Sequence, residues 1–535
     1  MSSRDIQRAS VLLASGTIVS RILGFIRAIV LAAAIGLVGS AGANMFGIAN
    51  QLPNTIYAIV AGGVLSAIFV PQIVRASVAA DGGAGYINKL LTVCIVLLGL
   101  TTVIATIAAP ALTMLYGTQL DRASLELAIA FAYWCLPQIF FYGLYTVFGE
   151  VLNARKLFGP YTWAPVLNNL VGLLGLLAFM LVFGANPTGS WRPQEWTPGM
   201  IAMLGGTTTL GVVAQALILL AFFRQAKLRF RFDWHWRGVG LGTAGKLAGW
   251  TFGMLLLTTL AGIVETNVAG IASNANQASV AALTNAWLVF MLPHSVIAVS
   301  IATAYFTRMS EHASRNDFAS VRADLGGAAR GIGMLITLST LVIIICSPFI
   351  GAVFMPDNQA GIVAFGTIVV AYVIGLLPFS LLFLVQRTFY TLGDTRTPFF
   401  YTLFQVVLIC LGALAIAGLD PALIAPAIAL LVTVAGILQL LVAGFILRRR
   451  IGGLGGRAVT VSFVRYAIAA VPTVLAGLAV VGVIGGGLGV QSRFGAIGAM
   501  AIIGIIMAVA YFGVLWALRA PELRQTLAQF SRRNR

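Results

Sequence analysis

Charge is what this chain has least of. Across 535 residues only 9% are Asp, Glu, Lys or Arg, acids number 15 against 33 Lys and Arg, and His occurs three times. With 59% hydrophobic residues and a mean hydropathy of +0.98, there is too little polar surface to cover a water-soluble globule. The chain reads as an all-α polytopic membrane protein. Histidine is confined to His235, His294 and His312, and no acidic cluster lies near a span. A membrane-embedded phosphate-processing enzyme would need clustered acids for metal, or a His and Arg constellation, so enzyme chemistry is not expected. The four cysteines, Cys94, Cys135, Cys346 and Cys410, each fall inside an apolar run without CxxC or metal spacing. They read as structural thiols, and no metal or resident cofactor is expected.

What is abundant is apolar sequence and glycine. The 59 glycines suit closely packed membrane helices. A span takes about 20 apolar residues, so this length with short loops accommodates roughly 14. An even number puts both termini on one side. With that side cytoplasmic, every Lys and Arg stands at an inner end except Arg122, Arg192 and Arg493 outside, and Arg21 and Arg27 embedded. The positive-inside rule thus supports the span count and cytoplasmic termini. The net charge of +18 is therefore topology and contact with anionic membrane lipids, not nucleic-acid binding. The apolar run after Arg4 and Arg8 is too long for a signal peptide and lacks a clear small-residue cleavage site, so it reads as a retained first helix.

The stretch TIVSRILGFIR at 17–27 organises the rest. At about 100° per residue, Thr17, Ser20, Arg21, Gly24 and Arg27 share a sector about 120° wide. A charge near mid-bilayer costs roughly 2.5 to 3.5 kcal/mol even on the lenient insertion scale, so this face must meet a polar cavity or a partner. The plainer alternative is snorkelling of both arginines to the headgroups. They stand roughly 9 Å apart along the axis, so one can snorkel but not both without shortening the span too far.

The second span, 41–74, carries another polar stripe, with Gly47, Asn50, Gln51, Asn54 and Tyr57 on one side and Asn44 nearby. Pro53 should kink it and free a carbonyl, acceptable only beside a cavity or a helix. Substrate contact and ordinary interhelical hydrogen bonding both fit these amides. The seventh span, 247–272, holds an acid near mid-membrane, Glu265, with Thr266 and Asn267 adjacent. That carboxylate either pairs with Arg21 or Arg27, binds Na⁺, carries a proton, or sits close enough to the outer interface to be hydrated.

Pro160 and Pro398, Phe69 and Phe306, and the LPN and LPH triplets at 52 and 292 recur at an offset of about 240 residues, as expected of two parallel six-span copies. The organisation is therefore an N-terminal lobe at 1–225, a cytoplasmic amphipathic linker at 226–246, a C-terminal lobe at 247–450, and two further spans with a basic tail at 451–535. The linker interleaves arginine with aromatics, which suits anionic lipid better than nucleic acid. The turns NARK and GDTR, followed by Pro160 and Pro398, are capping chemistry before they are binding chemistry.

SRILGFIR at 20–27, ANQLPN at 49–54, GGVLSAIFVPQI at 62–73, AFAYWCLPQIFFYG at 130–143, VLNARKLFGPYTWAPVLNN at 151–169 and RTFYTLGDTRTP at 387–398 together resemble the MurJ/MviN-type lipid II flippases, most nearly their actinobacterial branch. The resemblance implies a transporter that moves lipid II, the undecaprenyl-diphosphate-linked peptidoglycan precursor, from inner to outer leaflet of the plasma membrane by alternating access. It implies Arg21 and Arg27 on the diphosphate, Ser20, Asn44, Asn50, Asn54 and Tyr57 along the headgroup route, and Glu265 with Asn267 at an ion-coupling site. Na⁺ or the membrane potential would drive the cycle, and cell-wall synthesis proteins would be partners. The chain departs from the family's charged pattern at Ala28, Asn44, Tyr57, Leu288 and Met291, which leaves the two arginines more alone. A multidrug or cation antiporter, another polysaccharide-lipid flippase and a cell-wall scaffold are the competing readings.

Overall fold

The computed structural model describes residues 3–60, 84–155, 157–226, 231–234, 245–486 and 492–524. All regular structure among them is helical, as apolar runs in lipid require when each backbone group must be satisfied within its own segment. The first part of the chain forms α1 (Ser3–Ile35), α2 (Ala41–Val60), α3 (Ala84–Ile107), α4 (Ala109–Tyr116), α5 (Arg122–Cys135), α6 (Gln138–Ala154), α7 (Phe158–Phe183), α8 (Pro198–Leu217) and α9 (Gly245–Asn274). Then follow α10 (Val280–Pro293), α11 (Val299–Ser314), α12 (Phe318–Phe354), α13 (Gln359–Val373), α14 (Leu376–Thr391), α15 (Arg396–Ile416), α16 (Pro421–Ile451), α17 (Gly456–Ile484) and α18 (Arg493–Ala517).

Among the described residues, 13 helical stretches are long and apolar enough to cross a membrane, each at a place expected from the sequence. The remaining expected span, 41–74, is described only through α2. Helix starts follow local chemistry. Asp121 caps α5 by accepting the Ser124 N–H at 3.0 Å, and Asp420 caps α16 through Ala422 N–H at 2.9 Å. Thr197 accepts from Met200 N–H at 3.3 Å beside Pro198, whose missing donor costs nothing at a first turn. The exterior inverts the soluble pattern: Leu181, Val483 and Phe494 are each 88% exposed, as lipid-facing residues are.

The chain divides into two compact units, Met1–Ala281 and Ala282–Arg535. In the first, α7 packs against α1 and α8, α2 packs against α5 and α6, and α9 lies on α2 and α4. So α9, the seventh span of the sequence reading, groups with the first unit. Its core joins Leu91, Cys94 and Leu98 of α3 to Val147, Phe148 and Leu152 of α6. Gly143 lets Leu98 lie on the α6 backbone, and Gly149 does the same for Tyr161. The four cysteines are free thiols.

In the second unit the 37-residue α12 packs against α13, α17 and α18, with Met334, Tyr466, Tyr511 and Leu515 at the core. Glu522, just past α18, binds Arg330 of α12 at 2.9 Å and accepts the Ser462 hydroxyl of α17 at 2.8 Å. Between α10 and α11 the chain widens into a π segment, His294–Ala298, directly after Pro293. Its buried His294 is 3.0 Å from the Ser380 hydroxyl.

Candidate functional site

The polar residues of the first unit collect where α1, α2 and α6 meet α7 and α8. Arg27, half-buried on α1, donates from Nη2 to the Thr208 hydroxyl of α8 at 3.2 Å. That hydroxyl spends its own proton on the Leu204 carbonyl at 2.9 Å. Gly172 of α7 provides the room: a Cβ there would stand 2.7 Å from both Cζ and Nε of Arg27. Tyr142 of α6 and Cys135 of α5 are its ionisable neighbours. Among the described residues no carboxylate pairs with Arg27. A guanidinium has five N–H donors, and this one gives a single bond to a neutral hydroxyl. Holding such a cation away from water costs several kcal/mol unless an anion or further acceptors compensate.

A line of amides and hydroxyls adjoins it. Gln138 donates to Asn50 Oδ1 at 3.3 Å and to Thr209 Oγ1 at 3.0 Å, and Thr209 donates to the Trp134 carbonyl at 2.7 Å. Tyr57 hydrogen-bonds Thr146, and its ring centroid lies 5.8 Å from that of Tyr142. Asn169 donates to the Ser20 carbonyl at 2.9 Å and to its hydroxyl at 3.3 Å. Ser20, Arg27, Asn50 and Tyr57 are thus tied to the helices that surround Arg27. Asn54 is exposed. Arg21 is exposed too, and among the described residues it has no hydrogen-bond or ionic partner.

The other residues singled out from sequence lie on α9 or bond to it and to the turn that follows it. Asn44 bonds Ser273 and the Ala281 N–H. Asn267 accepts from the backbone and hydroxyl of Thr118 at 2.7 and 2.6 Å and donates to the carbonyls of Leu115 and Ile263 at 2.8 and 2.9 Å. Its carboxamide is therefore fully used, mostly in holding α9 to α4 and the turn after it. Glu265 is half-buried. Among the described residues its carboxylate forms no ion pair, with Arg21, Arg27 or any other cation, and no group of His, Cys, Asp and Glu has metal-site geometry.

Sequence reading did not single out Gln138, Gly172 or Thr208. The one available signal was GGTTT at 205–209, three consecutive hydroxyls inside an apolar span.

The family model described as "Lipid II flippase MurJ" matches residues 31–491. The chain belongs to the MurJ family. A "Probable lipid II flippase MurJ" of Rickettsia prowazekii (strain Madrid E) is 24% identical over 416 residues, covering 75% of this chain and 76% of the relative. A solved structure described as lipid II flippase MurJ in an inward closed conformation superposes with a TM-score of 0.73 at 17% identity, covering 95% of this chain and 99% of that one. An inward-facing multidrug resistance MATE transporter of the MOP superfamily follows at a TM-score of 0.64 and 17% identity, covering 82% and 96%. The MurJ fold is therefore a polytopic transporter fold shared with MATE proteins. The MurJ family match, which spans most of the chain, is what sets this chain apart from them.

Proposed function

We propose that this chain is a lipid II flippase, translocating the undecaprenyl-diphosphate-linked peptidoglycan precursor from inner to outer leaflet by alternating access. Membership of the MurJ family over residues 31–491 carries the reading. Arg27 gives it a chemical centre. A diphosphate cannot cross hydrocarbon unaided, and a guanidinium with uncommitted donors binds its oxygens through charge-assisted, bidentate bonds. Arg21 is the second cation for the same anion, and Ser20, Asn50, Asn54 and Tyr57 border the headgroup route. Asn44, whose carboxamide is already occupied, supports the route from behind. The prenyl tail stays in lipid.

Glu265 is the proposed coupling group, taking Na⁺ or responding to the membrane potential, with Asn267 fixing the helix that carries it. The protein resides in the plasma membrane with both termini cytoplasmic. Its partners are lipid II, membrane lipids and cell-wall synthesis proteins, and no nucleic acid. The deciding experiment measures leaflet-specific accessibility of labelled lipid II in cells that rely on this protein alone. Arrival in the outer leaflet is expected; continued confinement to the inner leaflet would overturn the assignment.

A further inference from the structure

Three consecutive threonines on one helix cannot do the same job, because successive side chains point about 100° apart. On α8, Thr207 lies against Gly175, and Thr209 joins Gln138 to the Trp134 carbonyl. Thr208 alone reaches Arg27, at 3.2 Å. Its hydroxyl carries one proton, and that proton is committed to the Leu204 carbonyl at 2.9 Å. The oxygen therefore offers Arg27 only a lone pair, in a direction set by the helix backbone. The guanidinium also lies against Gly172, where a Cβ would come within 2.7 Å of Cζ and Nε and 3.1 Å of Nη1. A planar cation held at one nitrogen and packed on a bare backbone is restricted in its rotation, while among the described residues its remaining donors stay uncommitted.

We propose that Thr208 is a positioning residue for Arg27, aiming the guanidinium fork at the diphosphate, with Gly172 as the seat that makes this orientation possible. This rests on Arg27 being the diphosphate contact. Bidentate recognition of phosphate depends on the fork's orientation, whereas a freely rotating guanidinium acts more nearly as a point charge. Thr208→Val keeps the shape but removes the acceptor and leaves Nη2 unpaired. Thr208→Ser keeps the acceptor. Gly172→Ala leaves Thr208 intact and displaces the cation at Cζ and Nε.

The test uses the purified full chain and undecaprenyl diphosphate as probe, measuring Kd alongside thermal unfolding. Thr208→Val and Gly172→Ala should each weaken binding about tenfold, the scale of one hydrogen bond to a charged group. Thr208→Ser should stay within about twofold of the parent. In an Arg27→Ala background, Thr208→Val should produce no further loss, since nothing is left to aim. Equal losses for the valine and serine variants, or an undiminished loss in the Arg27→Ala background, would assign Thr208 a merely structural role and overturn the proposal. Should Thr208→Val prove unstable, the Gly172→Ala comparison with and without Arg27 decides in the same way. If Arg27→Ala alone binds the probe as tightly as the parent, the diphosphate reading of Arg27 falls. If Arg27→Ala loses binding while Thr208→Val and Gly172→Ala do not, positioning falls by itself.

Discussion

Asn44 of α2 donates to the Ser273 hydroxyl over 2.9 Å and accepts the Ala281 N–H at 3.0 Å, so one carboxamide holds both sides of the turn between α9 and α10. The site is buried, with Asn44 at 1% exposure. Asn44→Ala should cost about 1 to 3 kcal/mol, because it removes two buried hydrogen bonds. Asn44→Asp should cost at least as much, since it keeps an acceptor for that N–H but buries a carboxylate with no cation beside it among the described residues. Thermal unfolding of the two variants in one detergent ranks them.

The two arginines differ in their surroundings, and their substitutions should differ too. Arg27→Lys keeps the charge but loses the fork that rests on Gly172 and Thr208, and should lose most flipping activity. Arg21→Lys, at an exposed position without a fixed partner among the described residues, should retain most of it. Complementation of a flippase-depleted strain, with expression levels matched, measures both.

Glu265→Gln is nearly isosteric and breaks no ion pair formed among the described residues. The fold should therefore keep its unfolding temperature within about 2 °C, in line with small effects where no partner is orphaned. Transport should lose its response to an imposed Na⁺ gradient or membrane potential. A large destabilisation with unaltered coupling would make Glu265 a structural acid.

Asn267 fills its hydrogen-bonding capacity on Thr118, Leu115 and Ile263, and Asn274 adds a bond to the Gln119 carbonyl at 2.5 Å. Asn267→Ala should free Thr118 from α9, while Asn274 keeps Gln119 and Asp121 in place. Amide exchange at Thr118, whose N–H it holds at 2.7 Å, should then accelerate by at least about tenfold if roughly 1.4 kcal/mol of protection is lost.

Asp394, in the turn between α14 and α15, gives a pH signature outside the membrane. Burial alone would raise its carboxyl, but the N–H and hydroxyl of Thr397, the Arg450 guanidinium and the Arg396 N–H hold it below the usual carboxylate range. A carboxyl depressed in the folded state contributes stability that is fully present above its unfolded pKa and lost as pH falls through the folded value. Unfolding temperature should therefore drop on acidification below about pH 4, and Asp394→Asn should flatten that drop.

The spans were legible because hydrocarbon imposes a length and a polarity that few other environments require, and a run such as AIVLAAAIGLV at 28–38 satisfies both. Site geometry was only half legible. Arg21 and Arg27 share a helical-wheel sector but lie at its two edges, and periodicity does not say which edge meets α7. Packing decides it, through the missing Cβ of Gly172, and a glycine among 59 carries no mark of that role. Asn44 and Asn50 look alike in a polar stripe, yet one is saturated by the turn beyond α9 and the other reaches Gln138. Thr208 was hidden for the same reason: between two other threonines, only the direction of its side chain sets it apart.

The wide turn at His294–Ala298 leaves its stretch of helix with an extra residue per loop of hydrogen bonds, anchored by a histidine to Ser380 rather than by the backbone ladder alone. Reverting to ordinary pitch would rotate α11 by roughly 100° relative to α10, carrying Arg308 away from its 2.7 Å bond to Asp324 of α12. A single local rewinding there would act as a swivel, changing which faces of α10 and α11 look the same way without unfolding either.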